Sequence, residues 1–231
     1  CARVSVCGVA AAAEQLVPFN SSHFALVYER HNYAVLSIVY VPLPTGVRPK
    51  WVLKAAQHGK HVLSEKPLAS SAAELLPVLK ACRLNNVQFM DGVMFMHHKR
   101  LSEMKANLQG ITGGVRHVDT CFSFCGDTSF FDSNIRVSKP LEPLGCLGDL
   151  GWYNIRLTLW AFNYELPLSV SARTHRCNKD GVPVSMSGYL EFPNGRSATF
   201  HCSFESGLQP RANITGPNGR LELDDFVLAR N

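Results

Sequence analysis

No apolar run in this 231-residue chain approaches the ~18 residues that a membrane-spanning helix needs, so no membrane partner is expected. The opening stretch, CARVSVCGVAAAAEQL, lacks the basic, apolar and small-residue order of a secretory signal. It also lacks an initiator Met, so a natural start ahead of Cys1 is expected. Charge is sparse: 18% of residues are charged, and 23 basic against 18 acidic leave +5, scattered along the chain. That excludes the clustered basic stripe of a nucleic-acid binder. No G-x-G-x-x-G occurs anywhere, so the usual phosphate-cradling fingerprint is missing. Cysteine is not scarce, with eight residues, but they are spread along the chain, several inside apolar runs, rather than in a dense framework. Reduced core thiols and a cytoplasmic location are the expectation. The sequons at Asn20 and Asn213 carry no weight there.

What is present is an apolar fraction of 46%, enough for one large domain or two small ones. The first half alternates strand and helix signals. VLSIVYV, residues 35–41, is a short β-branched run stopped by Pro42 and Pro44, as in a buried parallel strand. RPKWVLKAAQHG follows with apolar residues at helical spacing, Pro49 in its first turn and Gly59 at its end. KHVLSE reads as a second strand. Ser71 and Glu74 form a capping box ahead of a helix that contains Pro77. VQFMDGVMFM reads as a third strand. Strands alternating with helices of this length imply a parallel sheet.

The pattern changes near residue 112. VRHVDTCFSFC alternates with period two, a helix is expected around residues 149–162, and four strands follow. FPNGR and GPNGR carry Asn-Gly, the favoured hairpin pair. The fold class is therefore α/β: a partial, Rossmann-like parallel sheet over residues 1–100, then an α+β domain with a mainly antiparallel open sheet over residues 101–231.

Ligands of open parallel sheets bind outside the carboxyl ends of the strands. YVPLPTG, SEKP and DGVMFMHHKR occupy three such ends. Lys66 supplies a compact cation suited to an electrostatic or proton-relay role. The second focus is LGCLGDLGWYNIRLTLWAF, where Asp149 and Tyr153 are four apart and share a helix face. Gly145, Gly148 and Gly151 allow a backbone or a ligand to approach closely. A phenol beside a cation can act as a general acid/base. A metal site is not expected: His97 and His98 point apart on a strand, and the Cys121/Cys125 pair lacks a second knuckle.

GKHVLSEKPLA, YVPLPT, CFSFCGD, NIRV and LGDLGWYNIRLTLWA together resemble the glucose–fructose oxidoreductase/inositol dehydrogenase (Gfo/Idh/MocA) family. The likeness is to its branch of NADP-dependent D-xylose 1-dehydrogenases and dimeric dihydrodiol dehydrogenases, and it runs from about Tyr28 to Asp225. It implies an oxidoreductase that moves hydride between a sugar or diol carbon and NADP, or NAD, as a homodimer formed through the C-terminal sheet. It implies catalytic roles for Lys66, Tyr153 and Asp149, with Tyr153 exchanging the hydroxyl proton, Lys66 tuning it and Asp149 orienting the substrate. Pro42, Leu43, Pro44, Glu65, Lys66 and Arg136 fall on cofactor-binding positions.

Several features depart from that pattern. Gly8 stands alone in VCGVAAAAEQL, which aligns with the family's second strand rather than its first. The branch's serine–arginine pair is replaced near Gly8 and Val9, and a loop position that is often His is Arg48. The chain stops before the family's last strands. An N- and C-terminally incomplete member is therefore expected. The alternative is a non-catalytic, degenerate relative that serves as a dimerising or binding module.

Overall fold

The structure, a computed structural model, describes residues 4–5 and 37–228. The Gly8 turn, the Asn20 sequon and the first residues of VLSIVYV lie outside the described residues. The chain divides into two compact units, the first ending at Gly92 and the second beginning at Val93.

The first unit is built on a four-stranded sheet in the order β1 (Val4–Ser5), β2 (Ile38–Val41), β3 (His61–Ser64) and β4 (Phe89–Asp91), with every pairing parallel. Parallel neighbours need crossovers, and helices supply two of them. They are α1 (Arg48–Gln57) and α2 (Ala72–Leu84). Helix α1 starts where the Pro44 carbonyl accepts the Val47 and Arg48 amides, and ends before Gly59 at φ +68°. Helix α2 opens with the Glu74 N–H donating to Ser71 Oγ at 3.3 Å. The Glu74 carboxylate reaches back to the Ser70 N–H at 3.0 Å, one residue earlier than the standard box. Val41, Val52, Ala55, Ala56, Val62, Val78 and Cys82 pack as this unit's core. They come from the helix and strand faces that the apolar spacing marks.

One expected strand is shorter than its apolar run. VQFMDGVMFM pairs only over Phe89–Asp91, and Met94–His97 wind into a 3-10 turn. The run is apolar throughout, so periodicity could not separate the two conformations.

The second unit is a six-stranded sheet with helices on one face. Its order is β10 (Arg220–Leu223), β9 (Glu205–Thr215), β5 (His117–Cys125), β8 (Arg196–Ser203), β7 (Pro183–Phe192) and β6 (Ser169–Cys177). All neighbours are antiparallel except β5 and β8. The expected fold class is thus borne out, with one parallel pair inside the mainly antiparallel sheet. Helices α3 (Lys99–Thr112) and α5 (Trp152–Ala161) bury Leu101, Met104, Leu108, Leu157 and Trp160 in one core with Val118, Ala198, Phe200 and Ile214. A short α4 (Thr128–Ser133) is capped by Asp127, whose carboxylate accepts the Phe130 N–H. The Asn194-Gly195 hairpin takes left-handed φ at both residues (63° and 66°), the type I′ geometry expected of Asn-Gly.

Gly145 sits at φ +50° against Pro183, where a Cβ would overlap the Pro183 carbonyl oxygen. Gly145→Ala should cost about 2 kcal/mol or more, through both backbone strain and that overlap. Urea unfolding followed by far-UV circular dichroism checks it; a loss under ~0.5 kcal/mol would contradict the packing described.

Candidate active site

The candidate residues fall into two sets, one in each unit. The first lies at the carboxyl edge of the parallel sheet. Val41, Ser64 and Asp91 are in register across β2, β3 and β4. Pro42, Glu65 and Gly92 therefore leave the sheet along one edge, which is where ligands of such sheets bind. Of the YVPLPT loop, Pro42 is exposed, whereas Leu43 and Pro44 are buried. Glu65 and Lys66 are half-buried and Pro67 is buried. The Lys66-Pro67 peptide is cis.

Two side chains without an expected site role hold this edge. Tyr40 donates its hydroxyl to Glu65 Oε1 at 2.7 Å. Burial and the hydrogen bond to the Glu65 carboxylate push the Tyr40 phenol up to about 12, against a smaller opposing pull from the Arg48 cation. Arg48, buried at the start of α1, donates from Nη1 to the Pro67 carbonyl. Sequence reading placed Arg48 only as a departure from a family pattern and gave Tyr40 no role. Tyr40 sits one residue before the strand end and Glu65 one residue after its neighbour's, and only the sheet register reveals that closeness.

The second set surrounds the start of α5. Residues Leu147–Gly151 form a π turn directly ahead of the helix. Such a turn widens the coil by one residue and often marks a functional position. Gly151 allows it to fit against the sheet: a Cβ there would sit 3.3 Å from Cys202 Sγ. Gly145 and Gly151 thus serve close protein packing. Cys202 Sγ lies 3.8 Å from Cys146 Sγ, and both thiols are buried and reduced. The hydrogen bond to Cys146 and burial push the Cys202 thiol far up.

The π turn carries Asp149, whose Oδ2 accepts from Arg136 Nε at 2.8 Å. Arg136 leaves the 3-10 turn Ile135–Val137, where its own N–H donates to Asn134 Oδ1. The aspartate side chain is 16% exposed and the arginine 44%. A pair that open contributes at most about 1 kcal/mol to stability. Its consequence is orientation: each charge fixes the direction of the other.

Tyr153 is one turn further on, 6% exposed, in an aromatic nest. Its ring lies 5.6 Å from Phe122 at 77° and 5.9 Å from Phe95 at 41°. Phe226 backs both phenylalanines edge-on. The hydroxyl is directed to Met94 Sδ at 3.6 Å, a weak acceptor on an exposed side chain. The ring is therefore held by packing. Among the described residues no three His, Cys, Asp or Glu side chains gather as a metal site, and no helix is long and apolar enough to cross a membrane.

A parallel α/β sheet with polar groups at its carboxyl edge has the place at which open α/β sheets bind ligands, and a mixed sheet packed on helices follows it in the chain. Residues 6–93 match the model described as the oxidoreductase family with an NAD-binding Rossmann fold, and residues 102–222 match the GFO/IDH/MocA C-terminal domain. The chain belongs to the GFO/IDH/MocA family. It is 36% identical over 193 residues to D-xylose 1-dehydrogenase (NADP(+)) 2 of Haloferax volcanii, covering 82% of this chain and 57% of that one. It is 29% identical over 193 residues to trans-1,2-dihydrobenzene-1,2-diol dehydrogenase of Xenopus laevis, covering 83% and 57%. Among solved structures, an aldose-aldose oxidoreductase from Caulobacter crescentus, complexed with glycerol, aligns with a TM-score of 0.79 at 25% identity. That alignment covers 91% of this chain and 62% of the other. The chain thus spans a little over half the length of the curated relatives it matches.

The raised Tyr40 pKa gives a signed pH dependence. Unfolded tyrosine loses its proton near pH ~10, whereas folded Tyr40 keeps it to about 12. The folded state then holds the extra proton between those values, so stability falls as pH rises through them. Urea titrations from pH 9 to 12 should show a shallower alkaline loss in Tyr40→Phe than in the parent. Equal slopes would refute the burial and the Glu65 bond as causes.

Proposed function

We propose that the protein is an NAD(P)-dependent oxidoreductase that moves hydride between a hydroxyl-bearing carbon of a sugar or diol and the nicotinamide, with NADP preferred. The observation that carries this is the place of Lys66: the carboxyl edge of a parallel sheet, inside the span that matches an NAD-binding Rossmann family. The names of the relatives support the substrate class and the cofactor. In this reading residues 1–100 are the dinucleotide-binding domain and residues 101–231 the substrate and dimerisation domain.

The residues present fit a dinucleotide at that edge. The Lys66 ammonium offers donors that match ribose hydroxyls. Pro42, Leu43, Pro44, Glu65 and Lys66 would hold the nicotinamide end, and the bound cofactor would supply the hydride acceptor. Tyr153 takes the proton from the substrate hydroxyl as the carbon is oxidised and returns it in the reverse direction. Lys66 contributes a compact positive charge at the nicotinamide end of the first unit's edge. Asp149 accepts a hydrogen bond from a second substrate hydroxyl, and Arg136 keeps its carboxylate turned to do so. The aromatic nest of Phe95 and Phe122 fixes the Tyr153 ring while the proton moves.

Assembly through the open face of the second sheet belongs to the same proposal. That face carries His117, Asp119, Thr199, His201 and Ser187, joined by hydrogen bonds. Sedimentation should give about twice the chain mass of 25.5 kDa.

The deciding assay measures NADPH formation from D-xylose and from trans-dihydrodiols, with NADP and with NAD. Tyr153→Phe should lower kcat by about 100-fold or more. Unchanged turnover in that variant would remove Tyr153 from the chemistry. An inactive parent that still sediments as a dimer would favour the non-catalytic reading.

A further inference from the structure

The turn that carries Lys66 is held from both sides. Glu65 is tied to β2 twice: its N–H donates to the Val41 carbonyl at 3.2 Å, and its Oε1 accepts the Tyr40 hydroxyl at 2.7 Å. The other oxygen of the same carboxylate accepts the Lys66 N–H at 3.3 Å. The Tyr40 hydroxyl and the Lys66 amide thus sit on the two arms of one carboxylate. Gly92 makes room for it, since a Cβ there would lie 3.0 Å from Glu65 Oε1. On the other side, Pro67 is tied to α1 by Arg48, which is 2% exposed. Residues 65 and 67 are therefore anchored to different elements, and residue 66 lies between them.

That arrangement bears on how a lysine can be aimed. Its four-carbon stem is flexible and its ammonium is strongly hydrated, so a defined position for the charge begins with a fixed Cα. Burying a guanidinium is costly, and an apolar side chain would fill the same volume without that desolvation. What Arg48 adds is a directed donor and a permanent charge behind the turn. Tyr40 likewise differs from phenylalanine only by the hydroxyl that holds Glu65.

We propose that Tyr40 and Arg48 are positioning residues for Lys66, Tyr40 by pinning Glu65 and Arg48 by pinning Pro67. The proposal rests on the reading of Lys66 as the working ammonium of the site. It assigns the two residues no contact with substrate or cofactor. Its rival is that both simply stabilise the first unit.

The test compares the full chain with Tyr40→Phe, Arg48→Lys and Arg48→Met. Circular dichroism first confirms the fold of each. Hydrogen exchange, read by mass spectrometry on peptides covering residues 61–70, should be about tenfold faster at Glu65 and Lys66 in Tyr40→Phe and Arg48→Met. Exchange in peptides from the second unit should stay unchanged. Acetylation of Lys66 should change in the same variants, while that of the exposed Lys50 and Lys80 stays constant. In the oxidoreductase assay kcat should fall by about 10- to 100-fold, with KM for NADP within about twofold. Arg48→Lys, which keeps a donor and a charge, should recover part of the loss. If Arg48→Met does not fold, Tyr40→Phe and Arg48→Lys carry the comparison. Unchanged exchange and acetylation in folded variants overturns the proposal, as does faster exchange with unchanged kcat. A parent with no turnover would sink the catalytic reading instead, and exchange and acetylation would then decide the positioning alone.

Discussion

The closeness of the 145–151 segment to the second sheet is the constraint on which the candidate residues of the second unit depend. Two glycines permit it. Gly145 lies against the Pro183 carbonyl and Gly151 against the Cys202 thiol, each where a Cβ would intrude. The chain can then take an extra residue into the turn before α5 without leaving the sheet. Asp149 faces Arg136 as a result, and Tyr153 enters the nest of Phe95 and Phe122. A side chain at either glycine would lift the turn and move Asp149 and Tyr153 together.

The first unit solves the equivalent problem through register. Three parallel strands end level, so three loop starts share one edge. Polar side chains from neighbouring elements then close on the middle loop. The two units thus place their groups by different means, backbone proximity in one and strand alignment in the other. Both put a candidate side chain on a rigid base, as positioned chemistry requires.

Much of this was legible in the sequence where the determinant is local. Alternation in VRHVDTCFSFC gave β5, Asn194-Gly195 gave its hairpin, and Ser71 with Glu74 gave the start of α2. The family likeness, carried by GKHVLSEKPLA and LGDLGWYNIRLTLWA, is borne out by matches over both halves of the chain. The rest depends on groups far apart in the chain. The Arg136–Asp149 pair joins two turns, and Tyr40 finds Glu65 only because β2 and β3 are neighbours. The π turn follows from tight packing on β8, which no local propensity encodes. The change from strand to 3-10 turn after Asp91 occurs inside a uniformly apolar run, where neither period is visible.

The single parallel pair in the second sheet has a consequence for the order in which the molecule assembles. Central strand β5 pairs with β8 and β9, and the His117–Ser197 partners are 80 residues apart in sequence. None of its ladder bonds can form until most of the unit has left the ribosome, and loop closure over that span is slow. Until then Phe122, Phe124 and Val118 have no sheet to pack into. Between the synthesis of β5 and that of β8 the nascent chain therefore carries an unpaired, aromatic-rich strand, which is the interval in which self-association competes with folding.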